Sequence, residues 1–121
     1  MIDDPRKRMP RAIRIVGQRY KVQQQANLHV QDHNDEAPTG VDGLMDTTHQ
    51  IMMIDPTIGS DRLREVFLHE SLHAMVNAAG LHRDILEGRD EQVIKRLAPI
   101  LLDFLKANPQ VYTYLTGRRF W

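Results

Sequence analysis

The chain has 121 residues and a mass of 14.0 kDa, the size of one domain. It contains no cysteine, which excludes disulfides, thiolate zinc sites and thiol catalysis. With 16 Lys+Arg against 16 Asp+Glu, no global basic field argues for a nucleic-acid or anionic-membrane partner.

No apolar stretch reaches the roughly 18 residues of a membrane span, and the N-terminus lacks the apolar segment of a signal peptide. The expectation is a soluble cytoplasmic protein without a membrane partner. Charge is unevenly placed. Seven basic residues lie between Met1 and Lys21, whereas Val22 to Ser60 has no Lys or Arg and six acids. This reads as a flexible basic tail over residues 1–10 and a solvated hairpin drawn to an acidic lobe. Without a groove-reading motif, a nucleic-acid partner is disfavoured.

In chain order, Ile13 and Ile15 alternate with Arg14, and Tyr20 and Val22 with Lys21, around Gly17-Gln18. That pattern predicts a short hairpin. Gln25 to Thr39 is polar and reads as a loop. Val41–Asp46 and His49–Ile54 form a second strand pair around Thr47-Thr48, and the run Ile51–Ile54, apolar on both faces, is the better buried strand. Asp55-Pro56 ends it. Ser60 or Asp61 caps a helix to about Ala79, stopped by Gly80. A second helix runs from Asp90 to Ala107, with Val93, Ile94, Leu97, Leu101, Leu102 and Leu105 on one broad face and a kink at Pro99. Asn108-Pro109 caps and opens a short third helix ending at Gly117. Strands first and helices second predict an α+β domain spanning 1–121.

The first helix carries His69-Glu70-Ser71-Leu72-His73. Histidines at i and i+4 share one face, so both imidazoles can reach one ion at about 2.0–2.1 Å. Glu70 projects about 100° around the helix, beside such an ion, where a carboxylate serves as general base toward a metal-activated water. With 6 His and 5 Glu in this chain, chance produces H-E-x-x-H in roughly one such sequence in a hundred. A catalytic zinc needs a third protein ligand and an open position. A histidine six residues after His73 would fall on Ala79, so that arrangement is excluded. The remaining candidates are His82, just past Gly80, and Asp90 and Glu91 at the start of the second helix. Helical phase does not separate the last two.

The stretch from Ile54 through the end of the second helix resembles the small zincin-like, gluzincin-type metallopeptidases grouped with the ImmA/IrrE metallo-endopeptidases, many of them phage-encoded. The resemblance implies a small antiparallel or mixed sheet, then the H-E-x-x-H helix, a second ligand-bearing helix and a short C-terminal helix. It implies His69, His73 and Glu91 as ligands of one Zn²⁺ and Glu70 as the base. Where many relatives have E-E-E, this chain has Asp90-Glu91-Gln92. It further implies an edge strand that holds an extended substrate by β-addition, with His49–Ile54 as the matching segment.

The expected activity is zinc-dependent endopeptidase cleavage of a peptide or protein substrate, in the host cytoplasm if the chain is phage-encoded. The alternatives are a non-catalytic, zinc-stabilised domain that binds a protein or DNA partner, and a phage accessory or structural protein. Other residues rank lower: His49 as a strand-end surface histidine, Tyr112 and Tyr114 as packing groups rather than oxyanion donors, His29 and His33 as loop residues, and Arg118–Trp121 as a packed tail.

Overall fold

The computed structural model describes residues 8–30 and 39–117, without the side chains of Val30, Thr39, His82, Asp90, Glu91 and Ile94. The order is β1 (Ala12–Ile15), β2 (Gln18–Gln24), β3 (His29–Val30), β4 (Thr39–Gly40), β5 (Gly43–Asp46) and β6 (Ile51–Ile54). Then follow α1 (Ser60–Ala78), α2 (His82–Leu86), α3 (Asp90–Ala107) and α4 (Pro109–Thr116). The chain is therefore α+β. No helix among the described residues is long and apolar enough to cross a membrane.

Four strands form a mixed sheet in the order β1-β2-β6-β5, and β3 pairs with β4 in a separate two-stranded ladder. β1 and β2 are antiparallel, β2 and β6 are parallel, and β5 and β6 are antiparallel. The helices pack on one face, α1 across β5, β6 and β1 and α3 against β1. That face presents Ile13, Ile15, Tyr20, Met52 and Ile54, all buried, to Leu63, Val66, Phe67 and Met75 of α1 and to Phe104, Val111 and Tyr114. Alternation along short strands gives the sheet one apolar side, and a two-layer domain is what that side requires.

Several elements depart from the sequence expectation for local reasons. The first turn is Val16-Gly17, one residue earlier than Gly17-Gln18, because Ile15 pairs with Gln18. Both turn residues have positive φ, 51° and 75°, as a two-residue hairpin turn of matching twist requires. The second connection spans Thr47–Gln50. There Asp46 accepts the His49 backbone N–H at 3.0 Å, and Gln50 takes a φ of 57°, which delays β6 to Ile51. The expected Gln25–Thr39 loop holds Leu28, which is buried, and β3 paired with β4. The tail expected over residues 1–10 ends earlier, since Met9 is 5% exposed and part of the core. Residues 1–7 lie outside the described set. On α3 the inward stripe is Leu97, Ile100, Leu101 and Phe104, while Leu102 and Leu105 are 54% and 38% exposed. The core face is narrower than the broad one expected. The helix continues through Pro99.

Asn108 precedes α4 as expected, but its side chain does not cap that helix. Instead Oδ1 accepts the Arg14 N–H at 2.8 Å, and Nδ2 donates to the Arg14 and Phe104 carbonyls, each at 2.8 Å. A buried primary amide thus pairs with the outer edge of β1 as another strand would. Asn108→Ala leaves the Arg14 N–H and C=O without these partners, while the Phe104 carbonyl keeps the backbone N–H of residue 108 at 3.1 Å, and it is expected to cost about 2–3 kcal/mol. The readout is a lower urea midpoint at unchanged m. Asn108→Asp should not rescue it, because a carboxylate cannot donate to either carbonyl. An unchanged midpoint for Asn108→Ala would refute this role.

Candidate functional site

α1 begins after Gly59, with Asp61 in its first turn, and ends at Gly80, whose φ is +66°. Its core stripe is Leu63, Val66, Phe67, Ser71, Ala74 and Met75, all buried. Ser71 is satisfied there by donating to the Phe67 carbonyl at 2.8 Å. That stripe fixes the helix rotation and leaves His69 and His73 exposed on the flank. Their Nε2 atoms are 3.0 Å apart, with ring centroids 4.6 Å apart and planes at 76°. Nitrogens at that separation can both lie about 2.0–2.1 Å from one point, so the pair fits a shared ion.

Glu70 turns the other way, toward β5, and is only 8% exposed. Burial pushes its carboxyl above the usual carboxylate value, partly offset by the His69 and His73 imidazoles beside it. Two clefts flank it between α1 and β5. One, about 360 Å³, is lined by Glu70 and His73 with Met45, Thr47, Val76 and Asn77. The other, about 330 Å³, is lined by Glu70 and His69 with Asp42, Gly43, Arg62 and Val66. Each is at the lower end of the range that accepts a small ligand or a peptide side chain. In the second, Arg62 Nε donates to Asp42 Oδ2 at 3.0 Å and so ties the helix to the strand. A third, mostly apolar cleft lies between His69, Leu72, His73 and Val76 and the exposed Ile85 and Leu86 of α2.

The expected edge strand is corrected. His49–Ile54 does not border the groove: β6 is an interior strand, paired on one side with β2 and on the other with β5. The edge is β5. The Asp55 N–H donates to the Asp42 carbonyl at 2.9 Å, and register parity then points the N–H and C=O of Leu44 toward β6. Those of Gly43 and Met45 point outward, and among the described residues no strand pairs with them.

The three candidates for a third ligand are placed by backbone alone. His82 opens α2, and Asp90 and Glu91 open α3. Among the described residues no third His, Asp or Glu joins the His69/His73 pair, and the side chains of these three candidates lie outside that set. His49 is an exposed loop residue whose backbone N–H donates to Asp46 Oδ1 at 3.0 Å and whose Nδ1 bonds Oδ2 at 2.8 Å; the backbone bond first, and the ring bond after it, hold the Asp46 carboxyl below its usual value. Tyr114 is buried edge-on against Phe67, with centroids 5.0 Å apart, and burial pushes its hydroxyl up to about 12. It packs the core rather than facing the clefts. Tyr112 is exposed, and His29 donates to the Asn27 carbonyl at 2.6 Å. His33 and Arg118–Trp121 lie outside the described residues. Sequence reasoning passed over Gly43 and the Asp42–Arg62 tie. An isolated glycine inside a strand pattern is the cue that marks a close backbone approach. No protein-family profile, curated protein sequence or solved structure matches the chain.

Proposed function

We propose that the chain is a zincin-like, zinc-dependent endopeptidase, with His69, His73 and Glu91 holding one Zn²⁺ and Glu70 as general base. One juxtaposition carries the reading. Two exposed imidazole nitrogens 3.0 Å apart stand beside a buried carboxylate, on the wall of a groove whose other wall is a strand edge that no other strand among the described residues pairs with. A divalent ion, when bound, would acidify the attacking water and polarise the scissile carbonyl.

The chain's own groups supply the rest. The outward backbone groups of Gly43 and Met45 can pair with an extended substrate and lay it along the groove. Glu70, next to the imidazoles, takes the proton from the attacking water and returns it to the leaving amine. Burial favours this shuttle, because a carboxyl held above its ordinary value carries the proton more readily than a solvated one.

Metal analysis of untagged protein tests the ligand set. The expected result is one zinc per chain, a large loss in Glu91→Ala, and much smaller losses in Asp90→Ala and His82→Ala. If Asp90→Ala or His82→Ala proves the damaging change, Glu91 is not the third ligand. Wild type that stays zinc-free after zinc is supplied would overturn the reading altogether.

A further inference from the structure

Strand β5 contains one residue without a side chain, and it stands where the strand meets α1. A Cβ built on Gly43 would lie 2.6 Å from Val66 Cγ1, 3.2 Å from Glu70 Cγ and 3.4 Å from the Met53 carbonyl oxygen. The first distance is shorter than non-bonded carbons tolerate, so another residue fits only if the Val66 side chain, the strand or the helix shifts. Backbone conformation does not explain the glycine. The left-handed glycines among the described residues are Gly17, Gly80, Gly88 and Gly117, not Gly43. The requirement is closeness: a missing Cβ lets strand and helix approach further than any other residue would allow.

What Gly43 admits is the Val66–Glu70 stripe of α1. Glu70 lines both clefts on either side of this contact, so the strand that binds it also borders the groove. His69 and His73, by contrast, take their mutual geometry from one turn of a single helix. A shift of β5 against α1 therefore disturbs Glu70 while leaving the imidazole pair intact.

We propose that Gly43 is a positioning residue for Glu70: its bare Cα lets the edge strand close on α1 and hold the carboxylate at the groove beside the two imidazoles. This role rests on the reading of Glu70 as the base of a metal centre.

The test uses the full-length chain loaded with Co²⁺ in place of zinc. The visible absorption of that ion reports its ligands and the groups hydrogen-bonded to them. Gly43→Ala should bind Co²⁺ with unchanged stoichiometry, melt at a lower temperature, and shift the visible band in the same direction as Glu70→Gln. Val66→Ala removes the partner of the 2.6 Å collision at its own cost in core packing, so adding Gly43→Ala to Val66→Ala should lower Tm much less than Gly43→Ala lowers it in the wild type, while the band stays shifted because the new Cβ still presses on Glu70. Asn108→Ala, at the opposite edge of the sheet, should lower Tm without moving the band. A wild-type band in Gly43→Ala overturns the role. So does a wild-type band in Gly43→Ala/Val66→Ala, which would make Gly43 mere room for Val66. If Glu70→Gln itself leaves the band unchanged, Glu70 is remote from the ion and the role falls. Failure of the wild type to take up either metal would instead overturn the metal centre, and the role of Gly43 with it.

Discussion

Glu70→Gln should abolish peptide hydrolysis while the zinc stays in place. The amide keeps the shape of the carboxylate but cannot accept a proton from the attacking water, a role typically worth about 10²–10⁴-fold in rate. Stability should move the other way. Burial raises the Glu70 carboxyl above its unfolded value, so the folded metal-free chain binds a proton more tightly than the unfolded chain. Stability contributed by that proton is full below the ordinary carboxylate value and is lost as pH rises through the raised one. At neutral pH the buried charge is thus a standing cost, and Glu70→Gln removes it. Metal-free Glu70→Gln should melt at or above the wild-type temperature at pH 7, with a flatter acidic limb. Loss of zinc in this variant would make Glu70 a ligand. Full retention of activity would favour the non-catalytic binding domain instead, since a purely structural site has no use for an acid there.

The parts legible in the sequence are those that depend on local period and local chemistry. α1, α3 and α4 follow from apolar spacing, from Gly80 and Gly117, and from Pro109 at a helix start. The His69/Glu70/His73 arrangement is legible for the same reason, because one helix supplies all three residues and their spacing fixes their faces. The strand pairing is not local. Nothing in the run Ile51–Ile54 says that it lies parallel to Gln18–Gln24, and that long-range choice makes β6 interior and β5 the edge. Burial of Met52 and Ile54 was foreseeable from composition, but the neighbours on either side were not. Asn108 shows the same limit. Its position before Pro109 reads as a helix cap, whereas its amide is taken by Arg14, 94 residues away. Gly43 left a trace, an isolated glycine in a strand, but only the packed helix shows what it makes room for.

His69→Ala and His73→Ala should each lose zinc and all zinc-dependent activity, yet leave the metal-free fold nearly unchanged. Both imidazoles are exposed, and alanine is the best helix former, so neither change removes core packing or weakens α1. The difference appears when metal is added. An ion that binds only the folded chain stabilises it by about 2.7 kcal/mol at a free concentration a hundredfold above Kd. For a domain of this size that raises Tm on the order of 10 °C. Wild type should show that rise on titration with zinc, and each alanine variant should show little or none. Acid should erase the wild-type rise, because both ring nitrogens must be free of protons to bind the ion and protons compete for them. The variants have no such rise to lose, so their response to zinc should not change with pH. A single variant that keeps the full rise would show that its histidine is not a ligand, and the convergence of the two Nε2 atoms would then be a contact between exposed rings. If both keep it, zinc binds elsewhere on the chain, and the groove between α1 and β5 loses its claim to be the catalytic centre.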